Sequence, residues 1–149
     1  MNVTPFGAKS PSSTVVGVAA NADGNLVTEK KWQNEQASIF TSAESLSTSG
    51  FIVGTVVDVS DAAAVSLLIR NDNGVGFTIK VYAPSTNYRL NDAYGSEYGI
   101  HVSEKRMTMI TPDDLPVLQW LPELRIGVKL DSNIEGTVDT FSIKAIIKR

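Results

Sequence analysis

The chain has 149 residues, a length that fits one domain or one domain with an arm. Its 13 Lys+Arg against 16 Asp+Glu give a formal net charge of −3, which excludes a strongly basic nucleic-acid binder as the default reading. The absence of cysteine removes disulfides, zinc knuckles, thiolate catalysis and iron–sulfur ligation, and a single histidine, His101, leaves little for an imidazole metal site.

No apolar run approaches the roughly 18–20 residues of a membrane span, so no membrane contact is expected. The first eleven residues, MNVTPFGAKSP, lack the basic start and apolar stretch of a signal peptide.

Composition divides the chain at Gly50. Residues 1–50 hold 12 large apolar residues, whereas residues 51–149 hold 39 in about twice the length. An ordered residue costs about 1–2 kcal/mol of backbone entropy, so the first part has too little apolar surface to fold alone. Residues 1–49 are therefore read as an extended N-terminal arm and linker, and residues 50–149 as the folded domain. Within the arm lie two short apolar patches, Val15, Val16 and Val18, then Leu26 and Val27, separated by NADGN at 21–25. An Asp-Gly pair between β-prone patches signals a hairpin turn. With Trp32, these apolar residues are the expected contacts of the arm. Residues 36–40 form one more short strand candidate, and 41–50 (TSAESLSTSG) reads as a linker or exposed loop.

In the body, 51–59 (FIVGTVVDV) is dense in β-branched residues and predicts a buried strand, with Gly54 marking a bulge. Val65, Leu67 and Ile69 alternate with Ser66 and Arg70, with one exception at Leu68, and Phe77, Ile79 and Val81 alternate with Thr78, Lys80 and Tyr82. The turn-rich NDNGVG at 71–76 lies between them, so the two runs predict a β-hairpin. Residues 98–110 are two strands, or one long strand with an exposed Glu104-Lys105-Arg106 middle. Pro112, Pro116 and Pro122 leave 115–121 as a loop or short helix. Leu124, Ile126, Val128 and Leu130 alternate, and so do Phe141, Ile143, Ala145 and Ile147 in a closing strand expected to pair inside a sheet. No segment sustains a 3.6-residue apolar period. The fold expected is all-β, an antiparallel β-sandwich of jelly-roll type with an extended N-terminal arm.

Signals of chemistry are sparse. His101 sits in a strand-like run between Ile100 and Val102 without a nucleophile elbow, and is read as a solvated or hydrogen-bonded strand histidine. The carboxylates fall at strand ends and turns, and no spacing selects a glycosidase-like pair. Asp72-Asn73-Gly74 does not complete a calcium loop and is read as a turn. No enzyme activity, cofactor or metal site is expected. The tyrosines are more informative: Tyr82, Tyr88, Tyr94 and Tyr98 all lie within seventeen residues. Amphipathic rings so concentrated suit a protein interface, sugar stacking or cover for the end of the sandwich. Trp120, amid Leu118, Leu121 and three prolines, is expected to plug the core.

An N-terminal stretch VVGVAANADGNLVTEKKW leads through a Ser/Thr-rich segment into a body that contains VSLLIRNDNGVGFTIKVYA and ends in FSIKAIIKR. This layout resembles small virion proteins of tailed bacteriophages, particularly auxiliary or decoration proteins of the capsid. The resemblance implies a non-catalytic structural protein of the virion, assembled in the host cytoplasm, whose arm binds the major capsid protein or other virion proteins. It also implies a symmetric homo-oligomer, with a trimer expected by analogy, and no nucleic-acid partner. Two other readings use the same features: a carbohydrate-binding module that stacks sugars on Tyr88, Tyr94 and Tyr98, and a phage tail or neck component.

Overall fold

The computed structural model describes residues 18–20, 26–28 and 34–149, which fall in two units, Met1–Gln33 and Asn34–Arg149. In the first unit, β1 (Val18–Ala20) and β2 (Leu26–Thr28) pair antiparallel, with Val18 opposite Thr28 and Ala20 opposite Leu26. Val18 of the first apolar patch and Leu26 and Val27 of the second thus lie on paired strands; Val15, Val16 and the turn sequence at 21–25 lie outside the described residues.

The second unit is built from alternation. Val65, Leu67 and Ile69 of β6 (Ala64–Asn71) are buried, and so are Phe77, Ile79 and Val81 of β7 (Phe77–Val81). Ile126, Val128 and Leu130 of β11 (Ile126–Leu130) and Phe141, Ile143, Ala145 and Ile147 of β12 (Phe141–Lys148) do the same. Each fully buried side chain of this size contributes about 1.5–3 kcal/mol. The remaining strands are β3 (Asn34–Phe40), β4 (Ile52–Val53), β5 (Val57–Asp58), β8 (Gly99–Val102), β9 (Arg106–Ile110) and β10 (Glu123–Leu124).

These strands form two four-stranded antiparallel sheets, sheet A in the order β3-β12-β6-β9 and sheet B in the order β4-β11-β7-β8. β5 and β10 pair beyond them and prolong the β4–β11 ribbon. With β4–β5 and β10–β11 each counted as one bent strand, eight strands run 1-8-3-6 in one sheet and 2-7-4-5 in the other. That order arises when a long antiparallel ribbon, pairing 1 with 8, 2 with 7, 3 with 6 and 4 with 5, is rolled up. It is the winding of a jelly roll. The sheets meet face to face: the ring of Phe77 in sheet B stands edge-on to Phe141 in sheet A, centroids 5.1 Å apart. β12 lies inside its sheet between β3 and β6, as its alternation predicts.

Four expectations change. First, β6 and β7 do not form a hairpin but enter different sheets. The connection is an arch tied by two buried asparagines. The Asn71 amide donates to the Val75 carbonyl (2.8 Å), and its Oδ1 accepts the Asn73 N–H (3.1 Å). Asn73 Oδ1 accepts the Asp139 N–H (2.8 Å), and its amide donates to the Asp139 carbonyl (3.3 Å). A hairpin and an arch both reverse the chain, and both use the same turn-forming residues.

Second, 51–59 is not one buried strand. At its middle the Gly54 N–H donates to Ile126 of sheet B (3.0 Å) and the Thr55 N–H to Ile39 of sheet A (3.0 Å). The chain spans the gap between the sheet edges there, leaving Ile52 and Val56 exposed while Val57 and Val59 enter the core. Third, β3 belongs to the folded unit, although composition assigns it to the arm. It pairs with β12 from Asn34 opposite Lys148 to Phe40 opposite Ile143, and buries Ile39 and Phe40. The polar stretch after it is fastened too: Ala43 is buried, and the Leu130 N–H donates to Ser47 (2.9 Å).

Fourth, Trp120 is 78% exposed and does not plug the core. The 3₁₀ turn Pro116–Gln119 turns Val117 and Leu118 inward, and Trp120 caps its end by donating its backbone N–H to Val117 (3.0 Å). The two open readings of the body resolve as well: 98–110 contains two strands, β8 and β9, one in each sheet, and 115–121 contains this short helix.

Candidate functional site

The tyrosine-rich segment is the 82–98 connection between β7 and β8. Backbone bonds brace it: the Leu90 N–H donates to Val81 (2.8 Å) and the Tyr98 N–H to Leu90 (2.9 Å). Two turns project from this base. In the first, the Thr86 hydroxyl donates to Ala83 (2.9 Å) and the Ser85 N–H to the Glu123 carboxylate (2.9 Å). In the second, Asp92 Oδ1 accepts the N–H groups of Tyr94 (2.8 Å) and Ser96 (3.0 Å), and Gly95 takes a φ of +88°.

The four rings consequently divide. Tyr82 is buried, its ring packed over Gly127, where any Cβ would lie 2.5 Å from it. Tyr98 is half-buried and packs against the core. Tyr88 and Tyr94, on the two turns, are 79% and 95% exposed. Tyr82 and Tyr98 cover the sandwich, and Tyr88 and Tyr94 face solvent. The sequence places all four together without indicating which pair points inward.

Beside this loop, Glu97 accepts Arg89 (2.7 Å) and Lys80 (3.4 Å), and the Phe51 ring lies under Arg89 at 5.2 Å and Lys129 at 5.8 Å. His101 is hydrogen-bonded to Asp131, Nε2 to Oδ2 at 2.6 Å, the hydrogen-bonded strand histidine that its context predicts. Several carboxylates hold turns or pair with cations. Asp58 accepts the Ser60 N–H (2.9 Å) and hydroxyl (2.7 Å), and the Ser60 bonds hold its carboxyl below the ordinary range. The Ser85 N–H, then Arg125, lower Glu123 in the same way. Among the described residues no three His, Asp or Glu side chains gather in a way that could hold a metal. Asn73 serves the β6–β7 arch, in keeping with the turn reading of its neighbourhood.

Open clefts lie among the described residues. One of about 670 Å³ lies by Ile39, Phe40, Ile52 and Gly54, where β4 crosses the sheet edge. Another, about 500 Å³, is lined by Phe51, Lys80, Lys129 and Asp131.

The outer face of sheet A carries a feature that sequence reasoning missed. Met107 and Met109 are 66% and 48% exposed, beside Arg70 and the half-buried Leu68 of β6, which they oppose in register. The signal was parity: once Ile110 is assigned to the core, alternation sends both methionines outward. Of the expected arm contacts, Val18 lies on β1, and Leu26 and Val27 on β2. Val15, Val16 and Trp32 lie outside the described residues.

No protein-family profile matches this sequence, and no curated protein matches it. Among solved structures, the chain is similar to one in a structure of infectious bursal disease virus Gx strain, at 13% identity and a TM-score of 0.34. That likeness covers 94% of this chain and 40% of the other, so the chain spans about two fifths of its length. It is also similar to a chain of the cyanophage Pam1 capsid asymmetric unit, at 10% identity and a TM-score of 0.30, covering 99% of this chain and 95% of that one.

Proposed function

We propose that this chain is a non-catalytic structural component of a virion, a bacteriophage capsid auxiliary or decoration protein. In this reading the jelly-roll body sits on the shell, and residues 1–33 anchor it to the major capsid protein. The observation that carries the reading is the eight-strand winding around an interior filled with apolar side chains. Jelly rolls serve as capsid domains, lectins and cupins. A cupin-like use needs metal ligands inside the roll, whereas Leu67, Ile69, Ile79, Ile126 and Ile143 occupy this interior. The fold is thereby suited to be a building block.

The N-terminal unit supports the anchoring role. A two-stranded hairpin with three-residue strands is marginal in water by itself and gains stability by joining another sheet edge. The lack of cysteine suits assembly in a reducing cytoplasm. The test compares the full chain with residues 34–149 in co-sedimentation with shells that lack the protein. The cut belongs at 33 and not at 49, because removing 34–49 also removes β3 and takes Phe40 from beside Phe141. The truncated protein is expected to stay folded and lose shell binding; equal binding by both forms contradicts the anchor.

The exposure of Tyr88 and Tyr94 on braced turns favours one second reading, a carbohydrate-binding module. It requires saturable glycan binding that weakens by about 1–3 kcal/mol when either tyrosine becomes alanine. A tail or neck component uses the same body and arm, and fractionating particles into heads and tails separates it from a shell protein.

A further inference from the structure

Four strands end the two sheets, and their edges differ. β3 shows solvent the polar side chains of Asn34, Gln36 and Ser38. β4 is two residues long, and the exposed side chain of β8 is His101, hydrogen-bonded to Asp131. β9 presents Met107 and Met109. Edge strands of monomers are usually blunted by a charge, a proline or a bulge within the strand. Around β9 these devices stand outside its centre: Glu104, Lys105 and Arg106 come at or before its start, and Pro112 after its end. β6 pairs with one side of β9, from Leu67 opposite Ile110 to Asn71 opposite Arg106. Among the described residues no strand pairs with the other side.

We propose that β9 pairs antiparallel with β9 of a second copy about a two-fold axis at Thr108, joining two A sheets into one of eight strands. A strand that pairs with itself across a two-fold axis does so antiparallel, so residues related by that axis face each other. Thr108 then opposes Thr108, each Met107 opposes a Met109, and Arg106 opposes Ile110. The two exposed methionines of each copy cover those of the other on one face, where their flexible thioethers pack without demanding a fixed shape.

Charge favours a second copy in this orientation. The exposed Glu104-Lys105-Arg106, two cations against one carboxylate, lies at one end of β9 and the exposed Asp113-Asp114 beyond the other. Antiparallel self-pairing brings the basic end of each copy toward the acidic end of its mate, whereas parallel pairing sets like charges side by side. The basic end is also held in place, since the Lys105 N–H donates to Asn73 (3.2 Å). A five-residue ladder is smaller than the roughly 1,200 Å² of a stable dimer interface. The contact is accordingly concentration-dependent, and strengthens when both copies are held on one scaffold. It does not depend on the virion reading.

The test uses the full chain. Sedimentation at rising concentration is expected to show a monomer–dimer equilibrium, and the double variant M107K/M109K to weaken it by at least about tenfold with an unchanged circular dichroism spectrum. Both positions are exposed, so the change leaves the core untouched. Because the protein has no cysteine, Thr108→Cys supplies a single thiol. Opposed residues have Cβ atoms about 4.5–5.5 Å apart, close to disulfide range, so mild oxidation is expected to yield a covalent dimer. Ser38→Cys, on the edge at β3, is the control and is expected to link far more slowly. A monomer at every concentration, an oligomer indifferent to the lysines, or linkage at 38 as fast as at 108 would each overturn the pairing.

Discussion

Asn73 shows how much a single polar residue does in this molecule. It is 2% exposed, and its side chain bonds to Asn71 and to both backbone groups of Asp139. Asn73→Ala removes these side-chain bonds and with them the tie from the arch to Asp139, at a cost of about 0.5–1.5 kcal/mol for each bond lost. Chemical denaturation should show that loss, while Ser142→Ala on the outer face should change little. Gly54 sets a steric limit of the opposite kind. A Cβ there would lie 2.5 Å from the Ile39 carbonyl, so Gly54→Ala should destabilise by about 1–3 kcal/mol, as overpacking does, and loosen β3 in hydrogen exchange.

The hydrogen bonds that lower Asp58 and Glu123 also make stability depend on pH. A carboxyl whose pKa is lower folded than unfolded lends stability at neutral pH. That contribution fades as pH falls from the unfolded value, about 4, through the folded one. The double variant D58N/E123Q should therefore lose less stability than the natural protein between neutral pH and acid, as followed by urea midpoints.

At the scale of elements, alternation was the readable signal. β6, β7 and β12 each bury every second residue, β11 does so with Gly127 buried as well, and all four follow from the apolar pattern alone. What alternation leaves open is which sheet a strand joins. β6 and β7 look like a hairpin in sequence because the turn residues between them serve an arch equally well; the tie to Asp139 lies 66 residues away and is invisible locally. That β3 belongs to the folded body and not to the arm was hidden for a related reason. Its first five residues are mostly exposed, and two buried side chains, Ile39 and Phe40, join it to the core.

The candidate surfaces were readable to a similar depth. The tyrosine cluster stands out in sequence, but its division depends on where Gly127 lies in a neighbouring strand. The central strand should be the most sensitive element. Ile143→Ala, fully buried in β12, is expected to cost about 2–5 kcal/mol in denaturant unfolding.

At the scale of the whole molecule, residues 34–149 form a ribbon rolled into two sheets around an apolar interior, and residues 1–33 form a separate unit. In the proposed role the body provides surface and the arm provides attachment. The most direct test of the proposed virion role is to count the protein in purified virus particles from its source, by quantitative mass spectrometry against the major shell protein. A stoichiometric component is expected, one copy per several shell subunits or more. Particles that contain none of it would contradict the account and leave sugar binding through Tyr88 and Tyr94 as the reading to pursue.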